Sequence, residues 1–136
     1  WPTLVFWHSA LQDELMMKCR KKFPSPTYGL SDAFIDRQAK VFSALRVELL
    51  RLGMGPFDNW RQMTSGAHGV LTAVSLCQTI SLYGFSTYPG SIEGSKDQYA
   101  GNENKRKSGE RWHDWVGEQA VWRLLHAAGV LNICSI

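Results

Sequence analysis

A neutral imidazole is the usual side chain for taking a proton from a hydroxyl near pH 7, and His113 stands where one would be useful. It precedes Trp115 by two residues and sits at the mouth of a predicted helix. The partial positive charge of a helix N-terminus disfavours the imidazolium, which keeps such a base neutral and ready. Taken alone, a histidine in this setting is more often structural than catalytic. Glu118 lies five positions further on. Were both residues helical, their side chains would point about 140° apart, so they are no dyad on one helix face. Glu118 instead shares the apolar side with Trp115, Val121 and Trp122, where a half-buried carboxylate needs partners. It either anchors the loop before the helix or accepts hydrogen bonds from a ligand.

Thr64-Ser65-Gly66 offers a different chemistry. It comes immediately before a predicted helix, whose first turn carries free N–H groups and a partial positive charge. Such a turn suits a phosphate or carboxylate, with two hydroxyl donors beside it and a glycine that permits close approach. The plainer reading is simple N-capping by Thr64 or Ser65. Gly84-Phe85 ends a predicted strand. Ligands of open α/β sheets bind outside the carboxyl ends of strands, where a glycine leaves room and a phenylalanine lines a pocket. Taken alone, the pair reads more plainly as an ordinary strand end with a core aromatic. His68 and His126 read as packing or surface residues, and His8 ends the first strand without further support.

The elements that must position these groups follow from local pattern. Residues 3–7 read as a short buried strand. Residues 10–22 read as a helix with a basic last turn, and Pro24 to Gly29 as a loop. Ser31 is a good N-cap for a long helix whose stripe is Ile35, Phe42, Leu45, Leu49 and Leu52, ended by Gly53 and Gly55-Pro56. Arg46 falls on another face of it. Residues 66–77 form a helix crowded with small residues. Glycine inside a helix costs about 1 kcal/mol against alanine, so Gly66 and Gly69 call for an offsetting close approach. Residues 79–85 alternate as a strand. Residues 86–111 are polar and glycine-rich, a length typical of a functional lid or a disordered segment. Residues 115–128 form a further helix capped by Gly129, and residues 130–134 a last strand. The alternation predicts an α/β layered fold.

Composition bounds the rest. The chain has 136 residues, enough for one domain with one core, and is 44% hydrophobic and 20% charged. A net charge of +3 falls well short of a nucleic-acid footprint. No apolar stretch approaches the roughly 20 residues of a membrane helix. Cys19, Cys77 and Cys134 lack zinc-like spacing. The opening on Trp1, directly before an apolar run, reads as a piece of a longer polypeptide.

Residues 63–85, Met-Thr-Ser-Gly-Ala-His-Gly-Val-Leu-Thr-Ala-Val-Ser-Leu-Cys-Gln-Thr-Ile-Ser-Leu-Tyr-Gly-Phe, resemble the short sialylmotif of eukaryotic sialyltransferases. His113 and Glu118 resemble the family's very short motif, a histidine and a glutamate separated by four residues. Residues 119–129 are similar to its C-terminal helix. The likeness is firm over residues 60–133 and looser upstream. It implies that residues 1–136 are the C-terminal part of a catalytic domain with a partial GT-A-like (Rossmann-like) sheet flanked by helices. It implies transfer of sialic acid from CMP-sialic acid to a glycan hydroxyl, with inversion and without metal or other cofactor. His113 would be the general base. Thr64, Ser65, Gly66, Gly84 and Phe85 would serve the donor, with Gln98 and Tyr99 from a third motif. Cys77 would match a cysteine bridged to an upstream partner.

The chain departs from the family pattern at three places. Met63 stands where proline is usual. The third motif is reduced to Asp97-Gln98-Tyr99-Ala100, with Gln98 at the histidine position. Glutamine donates a hydrogen bond to phosphate but carries no positive charge. The long sialylmotif, which builds much of the CMP site, is absent. The expected partners are therefore a nucleotide-sugar donor, a glycan acceptor and the missing upstream half of the same polypeptide. The stretch alone is expected to be inactive. The implied setting is the Golgi lumen, with the parent a type II membrane protein anchored through an N-terminal segment. Alternatives are a CMP-Kdo-type acidic-sugar transferase and a non-catalytic nucleotide-sugar- or glycan-binding remnant.

Overall fold

The computed structural model describes residues 3–7, 9–57, 62–85 and 113–134. Its elements run β1 (Leu4–Phe6), α1 (Ser9–Lys22), β2 (Thr27–Gly29), α2 (Asp32–Arg51), α3 (Ser65–Leu76), β3 (Ser81–Leu82), α4 (Trp115–Ala127) and β4 (Asn132–Ile133). Helices and short parallel strands are mixed, as the α/β expectation requires. The predicted loop over residues 86–111 lies outside the described residues. Among the described residues no helix is long and apolar enough to cross a membrane.

By contacts the chain divides into two units, Trp1–Val41 and Phe42–Ile136. In the first, β1 and β2 pair in parallel with Leu4 opposite Thr27 and Phe6 opposite Gly29. Helix α1 connects them, and its basic last turn of Arg20, Lys21 and Lys22 faces the favourable end of the helix dipole. Strand β2 corrects the loop expected there. Pro24 and Pro26 argue against a strand, but Pro26 lies just outside it and contributes only its carbonyl, which accepts from Leu4 N–H at 2.9 Å. Thr27 and Tyr28 are good strand formers.

Helix α2 begins where Ser31 accepts from Phe34 N–H, through its hydroxyl at 3.3 Å and its carbonyl at 2.9 Å. It ends in a Schellman turn: Gly53, at φ 78°, donates to Leu50 and Met54 donates to Leu49. Of its expected stripe, Phe42 and Leu49 are fully buried and Ile35 and Leu45 half-buried. Leu52 is 66% exposed, because it falls in the turn after the last helical residue.

Every buried apolar side chain among the described residues lies in the second unit. Val70 and Leu71 of α3, Leu82 of β3, and Val121 and Trp122 of α4 belong to that core. Strands β3 and β4 pair in parallel, Ser81 opposite Asn132 and Leu82 opposite Ile133. Both are shorter than expected. Strand β3 stops before Gly84, which adopts φ 73°. Strand β4 starts late because Val130 N–H is already spent on Leu125 in the Schellman turn that closes α4 around Gly129. The small residues of α3 divide in two. A Cβ on Gly66 would stand 3.2 Å from the Phe85 ring, the close approach that the sequence called for. Among the described residues nothing lies within 4 Å of a Cβ on Gly69.

Candidate functional site

The site is built at the N-termini of α3 and α4, and a buried carboxylate joins them. Thr64 is the N-cap of α3: its hydroxyl accepts from Ala67 N–H at 3.0 Å. The same hydroxyl donates to Glu118 Oε2 at 2.6 Å, and Thr64 N–H donates to Glu118 Oε1 at 2.8 Å. Both lobes of the carboxylate are thus used on one residue, 54 positions away in sequence. Glu118 is 5% exposed. Of the two roles open in the sequence, the anchor is the one seen, but the turn it holds is the one before α3.

Burial pushes the Glu118 carboxyl above its ordinary range, and nearby Asp114 adds to that. The two bonds from Thr64 and the proximity of His113 pull the other way without cancelling it. Thr64 is therefore committed to the fold through N–H and hydroxyl alike. Ser65 is exposed, and the N–H groups of Ser65 and Gly66 occupy the first turn, where no intrahelical carbonyl is available. Gly66 packs under Phe85, which brings the strand end onto the helix start. Gly84 supplies the turn that delivers it.

His113 lies just outside α4 and is half-buried. Its Nδ1 is 2.7 Å from the Gln62 carbonyl oxygen. A carbonyl only accepts, so Nδ1 carries the proton, and in the neutral ring Nε2 holds the free lone pair. The edge of the ring meets Trp115 at 5.5 Å between centroids. The residue that caps α4 is Asp114, whose Oδ1 accepts from Gly117 N–H at 2.9 Å. Its Oδ2 takes Arg46 of α2 at 2.6 Å.

His113, Thr64, Ser65, Gly66, Phe85 and Glu118 are accordingly linked in one cluster through Gln62, Thr64 and Gly66. Gln98, Tyr99 and His8 lie outside the described residues. Cys77 ends α3 on the surface, and it, Cys19 and Cys134 are free thiols. His68 is buried in α3, and burial lowers its pKa. His126 is exposed, with Nδ1 3.0 Å from the Leu131 carbonyl oxygen.

Sequence reasoning missed Asp114, Arg46 and Gln62. For Asp114 a signal existed, because an aspartate directly before a helix, three residues ahead of the N–H it satisfies, is a capping pattern. For Arg46 and Gln62 no local signal existed.

Comparison with known proteins bears on the family. Over 77 residues, 55% of this chain, it is 36% identical to human alpha-N-acetylgalactosaminide alpha-2,6-sialyltransferase 1. Over 75 residues, also 55% of the chain, it is 35% identical to mouse alpha-N-acetylgalactosaminide alpha-2,6-sialyltransferase 2. These stretches span only 12% and 20% of the two relatives' lengths. No solved structure matches the chain significantly. The sequence model of glycosyltransferase family 29 (sialyltransferase) matches residues 9–130, a span that begins well upstream of the motifs and includes them, and the chain belongs to that family.

Proposed function

We propose that the protein carrying this chain transfers sialic acid from CMP-sialic acid to a glycan hydroxyl, with His113 as general base. The observation that carries the reading is the bond between His113 Nδ1 and the Gln62 carbonyl, which leaves Nε2 as the proton acceptor. In this reading the acceptor hydroxyl attacks the anomeric carbon as its proton passes to Nε2. The bond from that carbon to the phosphate oxygen breaks on the opposite face, CMP leaves with the electron pair, and the configuration inverts. Ser65 and the first-turn N–H groups of α3 hold the donor's phosphate or carboxylate. Phe85 and Gly84 line the cleft, and Gln98 and Tyr99 serve the donor by their place in the third motif. Glu118 acts by holding the Thr64 turn rather than by touching substrate.

Positioned hydrogen bonds stabilise a nucleoside monophosphate leaving group in place of a metal. The fold completed by the rest of the polypeptide is GT-A-like, and upstream residues supply much of the CMP site and the partner of Cys77. The setting is the Golgi lumen. The matched relatives' names specify an N-acetylgalactosamine acceptor and an α2,6 linkage, so that acceptor is the first to test.

A second reading, a non-catalytic remnant, is favoured by Gln98 at the histidine position. The test is transfer by the full-length protein from CMP-sialic acid, with CMP-Kdo alongside, onto a glycan panel that includes N-acetylgalactosaminides. A sialylated product of the right mass is expected. A product from CMP-Kdo alone would change the donor, and donor binding without any product would favour the remnant.

A further inference from the structure

We infer that Arg46 is a positioning residue for His113: its ion pair with Asp114 fixes the backbone from which the imidazole projects. The inference rests on reading His113 as the base and extends it to a residue of α2. The Asp114 side chain is 1% exposed and the Arg46 side chain 13%. A carboxylate so buried requires full pairing, and here each oxygen has one partner. Gly117 N–H takes Oδ1 and the Arg46 guanidinium takes Oδ2, at 2.9 and 2.6 Å.

The guanidinium is itself held over the Phe57 ring, 5.3 Å from its centroid, and near Phe42 at 6.0 Å. Asp114 is therefore pinned from two sides, and His113 is the next residue along the backbone. From that point its ring reaches the Gln62 carbonyl. The histidine is thus fixed at both ends, at the ring by Gln62 and at the main chain by Asp114. Without Arg46 the second fixture retains, among the described residues, only the cap bond, and the Nδ1 contact loses its frame. A misplacement of about 1 Å in a reacting group costs on the order of a hundredfold in rate.

The experiment uses the full-length protein with Arg46→Ala, Arg46→Lys, Asp114→Asn and, as a control on the same helix, Arg51→Ala. Arg51 forms an exposed pair with Glu48. Two quantities are read: the tautomer of His113 by 15N NMR of labelled histidine, and kcat against donor KM. Wild type and Arg51→Ala should show the Nδ1–H form. Arg46→Ala should drift towards the Nε2–H form that free imidazole prefers, and kcat should fall about tenfold or more with donor KM within about twofold. Arg46→Lys should recover most of both. If Arg46→Ala does not fold, Asp114→Asn decides. Asparagine keeps the cap but loses the charge, and a partial tautomer shift with about a threefold loss of kcat is expected. A folded Arg46→Ala, or failing that Asp114→Asn, with unchanged tautomer and unchanged kcat overturns the inference. A shifted tautomer with unchanged kcat upholds the positioning and refutes His113 as the base.

Discussion

The two units of this chain hold themselves together in opposite ways. In Trp1–Val41 several side-chain bonds are local. Lys18 pairs with Glu14 one helical turn away, Thr27 bonds Ser25, and Arg20 donates to the Thr27 carbonyl, seven positions on. Its buried side chains among the described residues are polar: Ser25, Thr27 and Gln38. In Phe42–Ile136 the bonds that matter are buried or part-buried and span 51 to 68 positions: His113 to Gln62, Thr64 to Glu118, Arg46 to Asp114. Local exposed pairs contribute little to stability. Long-range buried pairs cost much when one partner is removed. The second unit is therefore where single substitutions should reach both stability and chemistry.

Four predictions sharpen or break that contrast. Glu118→Ala strips Thr64 of the acceptor for its N–H and for its hydroxyl, and should destabilise by about 2–4 kcal/mol in chemical denaturation. Glu118→Gln keeps one acceptor and should lose about half of that. Comparable stability for wild type and Glu118→Ala would remove the basis of the contrast.

The same carboxyl predicts a pH dependence. Its folded-state pKa is raised by burial, so the folded protein binds the proton more tightly than the unfolded chain does. Stability should be greatest below the ordinary carboxylate range. It should decline as pH rises from the unfolded value to the raised folded one, and level off above. The difference between wild type and Glu118→Gln, followed from pH 4 upward, isolates this slope, and a rise in wild-type stability relative to Glu118→Gln would contradict it.

Gly129→Ala should cost about 1–2 kcal/mol, because its φ of 72° is left-handed although the space around it is open. Unchanged thermal unfolding would show that the turn after α4 rearranges. Lys18→Ala, which breaks an exposed pair of the first unit, should change stability by less than about 0.5 kcal/mol. A larger loss would mean that the first unit depends on its surface pairs after all.

How much was legible in the sequence follows the same division. Helices α2 and α4 were legible to within a residue because Ser31, Gly53 and Gly129 punctuate them and their apolar spacing is helical. Strand β2 was not, since two prolines dominate a six-residue window whose pairing partner lies more than 20 positions upstream. Strands β3 and β4 were placed but overextended, because alternation does not show where a backbone N–H is already taken by a helix turn. Thr64, Gly66, Phe85, His113 and Glu118 stood out as candidates. What bound them together did not. The partner of a buried carboxylate is set by tertiary packing, and neither Gln62 nor Arg46 carries any local mark of its role.

The most direct test of the account is turnover by the full-length protein with His113→Ala, measured beside donor binding by calorimetry. A base fixed by Gln62 predicts a loss in kcat of about 10²–10⁴-fold with donor affinity essentially unchanged. Turnover near that of wild type would contradict the central claim, and the cluster at the starts of α3 and α4 would then be a structural joint alone.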